Sequence, residues 1–299
     1  MRNKLLLAVT LLCLAPVMAF AQMSSDFYVI PVASHTAGAN NTLWQSDLAI
    51  TNIQQTALDV QLVVIESGQN NNDNVFPLTG GSFNGSVSIA PNGSVLLRDI
   101  LNGYRGMQNI TGALLVGGSA PFVLTSRSYS TTPGNNNIGQ TVTPARDFLD
   151  TTTGVTNLAN AVSYVPGLIN NAQFRTNLGF VVGNSSASGA TMGLQVTLRD
   201  STGRNVGQRL FSIPPGTFQQ YQFPASSVST VSFDIASAEF RITQGSGAVV
   251  PYASVIDNNT AAASFVLGQY PSIANPSGLG KAGFGDGLLR ALFEQMRTH

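Results

Sequence analysis

Two histidines, one cysteine and fourteen acidic residues are the imidazole, thiol and carboxylate groups that this 299-residue chain offers to catalysis or metal binding. Cys13 lies inside an N-terminal apolar segment, so a processed chain would hold no thiol nucleophile, disulfide or cysteine metal site. His35 is the only histidine before His299, and any imidazole mechanism must run through one of the two. A Ser-His-Asp site could draw on His35 and Asp47, but no G-x-S-x-G elbow is present to place a serine beside them. In "SHTAGANN" His35 is expected in a solvent-exposed loop, and two histidines without cysteine do not make a usual zinc site. Gly278, Gly280 and Gly283 spell G-x-G-x-x-G, yet no strand precedes them and no acidic residue follows about 20 positions on, so a dinucleotide site is not expected.

Carboxylates are the remaining route to catalysis, since a glycosidase needs two acids across a cleft. Asp47, Asp59, Glu66, Asp73, Asp99, Asp147, Asp150, Asp200, Asp234, Glu239 and Asp257 are scattered singly along the chain. A non-enzymatic protein without a cofactor is therefore expected, with a carboxylate-dependent glycoside hydrolase as the lesser alternative. The loops "NNNDN" (70 to 74) and "DNN" (257 to 259) gather oxygen ligands without the acidic density of a calcium loop, and turns are expected there. For ligand contact the best candidates are Tyr129, Tyr221 and Tyr252, with Arg127 on the strand face of Tyr129, as in an aromatic sugar platform.

Composition bounds the setting of these residues. Arg2 and Lys4 precede about 16 uncharged residues from Leu5 to Phe20, and Ala19-Phe20-Ala21 has the form of a cleavage site. That is the plan of a bacterial signal peptide spanning 1–21, and its apolar core is short of the ~20 residues needed to span a bilayer. A secreted, periplasmic or cell-surface location is expected, with no membrane span after cleavage. Charged residues make up 9% of the chain, against about 25% in an average globular protein. Without Arg2 and Lys4 there are twelve basic and fourteen acidic residues, a net charge of about −2, and no basic field to collect nucleic acid.

The elements that must position these side chains are strands, and they occur twice. Trp44-Gln45-Ser46-Asp47-Leu48-Ala49-Ile50 aligns without a gap on Phe174-Arg175-Thr176-Asn177-Leu178-Gly179-Phe180. "LDVQLVVIESG" then matches "MGLQVTLRDSTG", "SIAPNGSV" matches "SIPPGTF", and "GSAPFVLTSRSYS" overlays "GSGAVVPYASVID", all in the same order. Asp47 falls opposite Asn177 and Asp257 opposite Ser130, so neither copy carries its partner's acid. Trp44, Phe174 and Phe180 share parity with Leu48, Ile50 and Leu178, which assigns them to a core. Leu58, Val60, Leu62 and Val64 alternate with Asp59, Gln61, Val63 and Ile65, a period of two with one buried face.

About seven short strands per copy predict an all-β chain of two tandem immunoglobulin-like antiparallel β-sandwich domains, with a closed barrel as the other option. The expected organisation is 22–143 for the first repeat, 144–160 for a linker and 161–270 for the second. Residues 271–299 form a Gly-rich linker and an amphipathic tail, expected as a short C-terminal helix.

The order "IPVASH…WQSDLAITN…SRSY", then "VPGLINNAQFRTNLGFVV…YASVIDNN", resembles a group of exported bacterial proteins with two tandem β-sandwich repeats, whose activity is not established. The likeness covers roughly residues 28 to 268 and rests on a [WF]-x-[ST]-[DN]-L strand (Trp44, Asp47, Leu48; Phe174, Asn177, Leu178) and a Y-A-S-V-x-D-N strand. It implies fold and export only. The expected role is adhesion, extracellular-matrix or cell-envelope interaction, with an extracellular or envelope protein or polysaccharide as partner; a carbohydrate-binding protein is the alternative.

Overall fold

Runs such as "FYVI", "LVVI" and "ALLV" hold consecutive apolar residues, and a strand can bury such a run only if both faces of its sheet are covered. A computed structural model describes residues 25–38, 42–71, 76–77, 79–80, 83–84, 86–106, 108–130, 138–146, 149–150, 162–184 and 189–270. The expected signal peptide, C-terminal tail and most of the expected linker lie outside the described residues.

The first half contains β1 (Ser25–Ala37), β2 (Leu43–Asn52), β3 (Leu58–Glu66), β4 (Phe76–Pro77), β5 (Thr79–Gly80), β6 (Phe83–Asn84), β7 (Ser86–Ile89) and β8 (Ser94–Leu97). A single helical turn and a half, α1 (Ile100–Arg105), leads to the long β9 (Ile110–Ser130), then β10 (Gly139–Val142) and β11 (Leu149–Asp150). The second half adds β12 (Val162–Asn170), β13 (Phe174–Asn184), β14 (Met192–Asp200), β15 (Asn205–Ile213), β16 (Thr217–Pro224), β17 (Phe233–Gln244), β18 (Ala248–Asp257) and β19 (Ala263–Leu267). No helix among the described residues is long and apolar enough to cross a membrane.

Both halves share one pairing order, all antiparallel. In the second, β12-β17-β14-β15 forms one sheet, and β16-β13-β18 with β19 forms the other. In the first, β1 and β3 flank the start of β9, and β7 extends β3. The end of β9 lies between β2 and β10, with β8 beyond β2. β9 thus passes from one layer to the other through Gly117-Gly118-Ser119-Ala120-Pro121, and β1 also pairs with β2 at His35–Ala37. The strands of these two layers therefore hydrogen-bond as one wrapped sheet. An immunoglobulin domain joins its first strand to the second and its last to the sixth. Here the first strand pairs with the sixth and the seventh with the second.

Three apolar cores account for the doubly buried runs. One fills the second half, with Leu178, Phe180, Leu194, Val196, Phe240 and Ile242. Another fills the first, with Tyr28, Ile30, Leu62, Val64, Leu114 and Val116. The third joins the halves: Phe27, Val29, Val63, Ile65, Ala113 and Leu115 meet Val181, Phe218, Ala248 and Val250. Alternation predicts one buried face for β3, but Leu62, Val63, Val64 and Ile65 are all buried, because odd positions enter the third core and even ones the first half's own. The result is four sheet layers in a stack. The expected linker takes part as well, since Val29 and Ala145 exchange backbone hydrogen bonds of 2.8 Å and β11 pairs with β18.

Polar side chains close the rim of this junction. Asn71, 1% exposed, donates from Nδ2 to the carbonyls of Glu66, Gln69 and Phe218 and accepts the Glu66 N–H. Asn70 Oδ1 accepts the Phe218 N–H at 2.9 Å. The start of "NNNDN" therefore fastens one half to the other; residues 72–74 lie outside the described set.

Candidate functional site

The richest cluster of polar chemistry sits where β1, β2, β8 and β9 of the first half meet α1. Leu97 ends β8 buried opposite Leu48, and two residues later Asp99 takes up a left-handed backbone with φ 45° and ψ 57°. Such a conformation is uncommon outside glycine and is held here by the side chain. The Asp99 carboxylate accepts from His35 Nδ1 at 2.9 and 3.1 Å, from Gln45 Nε2 at 2.8 Å and from Asn102 Nδ2 at 3.3 Å. The far ring nitrogen of His35 lies 3.3 Å from Gln108 Oε1, and Gln108 Nε2 donates to Asn102 Oδ1 at 2.7 Å.

Asp47 extends the network across β2. Its Oδ1 accepts the Asp99 N–H at 2.9 Å and the Tyr129 hydroxyl at 3.0 Å. Arg127 stands directly across from Asp47 in the β2–β9 register, yet its guanidinium rests on the Tyr129 ring, 4.8 Å from the centroid. Burial first, then the hydrogen bond and charge of Asp47, raise the Tyr129 phenol above its usual range.

His35 overturns the expectation of an exposed loop: it is 4% exposed, because β1 continues through it and pairs it with Gln45. Among the described residues no nucleophile stands on its far nitrogen, where Gln108 lies instead. Among the described residues no group of three histidines, acids or cysteines is placed to hold a metal.

The three tyrosines do not form one exposed line. Tyr252 is enclosed at the junction of the halves, 1% exposed, with its ring stacked on Phe265 at 5.8 Å and its hydroxyl bonded to the Gln220 amide. Burial removes Tyr252 from any ligand surface. Tyr221 is half-buried, stacked on Phe180 at 4.7 Å and edge-on to Phe211 at 5.9 Å, as part of the second half's core wall. Tyr129 and Arg127 lie together on the outer face of the first half. Leu48 and Leu178 are fully buried, whereas Trp44 and Phe174 sit half-buried at strand ends. Asp47 is the engaged member of its pair, and Asn177 forms no side-chain hydrogen bond with the described residues.

Three other acids are satisfied locally. Glu239, between Arg199 at 3.2 Å and Arg241 at 2.8 Å, anchors the outer face of the second half. Asp200 accepts from Thr202 and Arg204, which with the hydroxyl of Thr202 foremost lowers its carboxyl below the usual range. Asp257 accepts the N–H groups of Asn259 and Thr260 and is lowered by them, so "DNN" forms a side-chain-capped turn.

Gln45, Asn102 and Gln108 were not among the residues expected from sequence to form a site, and Asp99 stood only among the scattered carboxylates. The internal comparison could have exposed them. Leu48 faces Leu97 as Leu178 faces Phe223, which places Ala225 where the first half has Asp99. By the same registers Asn177, Ser254 and Ile256 stand where the first half has Asp47, Arg127 and Tyr129.

Two expected results follow from these contacts. Replacing Asp47 with alanine leaves the Asp99 N–H and the Tyr129 hydroxyl without their acceptor, and should cost about 1–3 kcal/mol in urea unfolding; an unchanged midpoint would show the network to be idle. Alkali should also destabilise the fold. Desolvation by burial, the largest cause for each, raises the phenols of Tyr28, Tyr129, Tyr221 and Tyr252 above the ordinary 10. The unfolded chain then loses these protons first, so stability falls as pH climbs through about 10. Equal urea midpoints at pH 8 and pH 11 would contradict this.

The fold and the site define an all-β protein of stacked antiparallel sheets with a buried polar network at one outer face. No family model matches the chain, and no curated sequence matches it. Among solved structures it is similar to "Thermotoga maritima 1070", at 13% identity over 40% of this chain and 93% of that chain, with a TM-score of 0.31. It is also similar to a Bacteroides uniformis β-glucuronidase, at 9% identity over 75% of this chain and 24% of that chain, with a TM-score of 0.18. At such TM-scores neither likeness carries an argument about this chain.

Proposed function

We propose that this is a non-enzymatic exported protein for adhesion, extracellular-matrix or cell-envelope interaction, and that the outer β2–β9 face of its first half is the contact surface. In this reading the two halves are tandem immunoglobulin-like units whose first strand pairs with the sixth and whose seventh pairs with the second. One observation carries the choice of face. The second half builds the same pairing order with Ala225, Asn177, Ser254 and Ile256 in place of Asp99, Asp47, Arg127 and Tyr129. The pairing order itself can therefore be built without the network, and a buried polar network is costly unless every member is satisfied. Retaining it in the outermost layer, where Arg127 reaches solvent, is what a binding surface requires.

Immobilised mature chain incubated with native bacterial envelope should capture a component, and a variant carrying Arg127→Ala and Gln45→Ala should capture less. Turnover of glycoside substrates that disappears on replacing Asp47 or Asp99 would instead support a carboxylate-dependent hydrolase and sink this reading.

A further inference from the structure

The inner face of the first half changes character along its length. Phe122 and Leu124 of β9 lie in its core with Leu48 and Ile50 of β2 and Val142 of β10. Strand alternation carries that same face on through Ser126, Ser128 and Ser130 of β9, Ser46 of β2 and Gln140 of β10. These serines are each 5% exposed or less. Part of this polarity is paired. Ser46 Oγ accepts the Ser34 N–H at 2.9 Å, Ser128 Oγ lies 3.4 Å from Ser34 Oγ, and Gln140 Nε2 donates to Ser254 Oγ at 3.1 Å. Ser126 Oγ and Gln140 Oε1, however, are buried without a hydrogen-bond partner among the described residues. The Ser254 hydroxyl can accept or donate, so either orientation of the Gln140 amide leaves one of its polar ends unpaired. The second half carries no such requirement, because the registers put Ala253 where Ser126 stands and Val255 where Ser128 stands.

We infer that this serine-lined interior is a binding site for ordered water, in which one water bonds Ser126 Oγ together with the side chain of Gln140 or Ser128. Position brings these groups together. Val142 stands across from Ser126 and Gln140 across from Ser128, so Gln140 is the diagonal neighbour of Ser126 on one face, within reach of a long side chain. Chemistry selects the occupant. A buried hydroxyl or amide left unpaired is costly, and internal waters sit where two to four such groups converge. Gln140 Oε1 only accepts, so the occupant must donate, whereas Ser126 Oγ serves either way. No charged side chain shares this face: Asp47 and Arg127 fall at the alternate positions of β2 and β9, so an enclosed ion would have no counter-charge. Water meets each of these demands. The site lies on the opposite side of the β2–β9 layer from the proposed contact surface, and the inference does not depend on that role.

Two measurements on the full mature chain test it. A high-resolution crystal structure should show a well-ordered solvent peak within hydrogen-bond distance of Ser126 Oγ and of a Gln140 or Ser128 side-chain atom. In urea unfolding, Ser126→Ala should lower the folding equilibrium constant about three-fold or more, because the water then loses a bond. A dry interior predicts the opposite sign: removing an unpaired buried hydroxyl would raise the midpoint. The crystallographic arm concerns the native chain and holds even if the variant fails to fold. A structure with no solvent at Ser126 Oγ, with an ion or organic molecule there instead, or a Ser126→Ala midpoint that rises or stays unchanged would each overturn the inference.

Discussion

Truncation of Phe218 to alanine is expected to cost the folded chain about 3–5 kcal/mol, the range for removing a buried aromatic ring from a core. Phe218 is 1% exposed and lies in the core that joins the halves, with Phe27, Val29, Val63, Ile65 and Leu115 across from it. Its backbone is held independently: Asn70 accepts its N–H, and its carbonyl accepts from the Asn71 backbone N–H at 2.8 Å and Asn71 Nδ2 at 3.1 Å. The substitution therefore removes apolar contact without releasing those hydrogen bonds. Because the third core belongs to both halves, the native chain should unfold in one transition. Trp44, the only tryptophan, reports on the first half by fluorescence, while circular dichroism follows both. Coincident curves for the native chain and a lowered midpoint for the variant are the expected pair; a loss below about 1 kcal/mol, within the range of surface substitutions, would mean that the junction contributes little.

The junction also explains why equivalent faces of the two halves look so different in sequence. The face of β13, β16 and β18 carrying Val181, Phe218, Ala248 and Val250 is packed on the first half. Its counterpart in the first half, the β2, β8 and second β9 segment, is an outer surface and carries Gln45, Asp47, Thr51, Arg127 and Tyr129. At the other end of the stack, β14 and β17 present Gln195, Thr197, Arg199, Glu239 and Arg241. Stacked repeats need polar outer faces at their ends. Here both ends are largely polar, with Leu96 exposed on one and Leu210 on the other, and the middle contact is apolar.

Strand positions were legible because alternation and Pro/Gly turns are local signals. "LDVQLVVIE" and "MGLQVTLRD" become β3 and β14 as expected. What was not legible depends on partners distant in sequence. The unbroken apolar run Ala113–Val116 looked like an ordinary strand, and only the other half of the chain explains why all four residues are buried. The pairing of the first strand with the sixth is invisible to periodicity, which says that β1 is a strand but not which strand it joins. His35 shows the same limit in a side chain. Its surroundings, "SHTAGANN", have loop composition, but its burial follows from Asp99, 64 positions away. Arg127 and Tyr129 could be placed on one face by parity alone, whereas the burial of Tyr252 follows from packing against the first half.

Changing Gly179 to alanine is the second substitution expected to have a large effect, and its reason lies in that same packing. The aligned motif has Ala49 in "DLAI" and Gly179 in "NLGF", a difference that backbone conformation does not explain, since Gly179 is an ordinary strand residue paired with Tyr252. A Cβ built on Gly179 would lie 2.2 Å from Cζ and 2.4 Å from the hydroxyl oxygen of Tyr252. That ring has little room to yield, being stacked on Phe265, bonded to buried Gln220 and enclosed by the first half. Ala49, on the outer face across from Thr125 and Leu96, meets no such obstacle. Gly179→Ala should therefore cost about 2–3 kcal/mol, as overpacking of a full core does, whereas Ala49→Gly should cost only about 0.5–1 kcal/mol. A double-mutant cycle separates this steric account from a general intolerance of the strand. Combining Gly179→Ala with Tyr252→Ala should cost at least about 1 kcal/mol less than the sum of the two single changes, because the added methyl then has space. Strict additivity would show that the ring is not what keeps this position glycine.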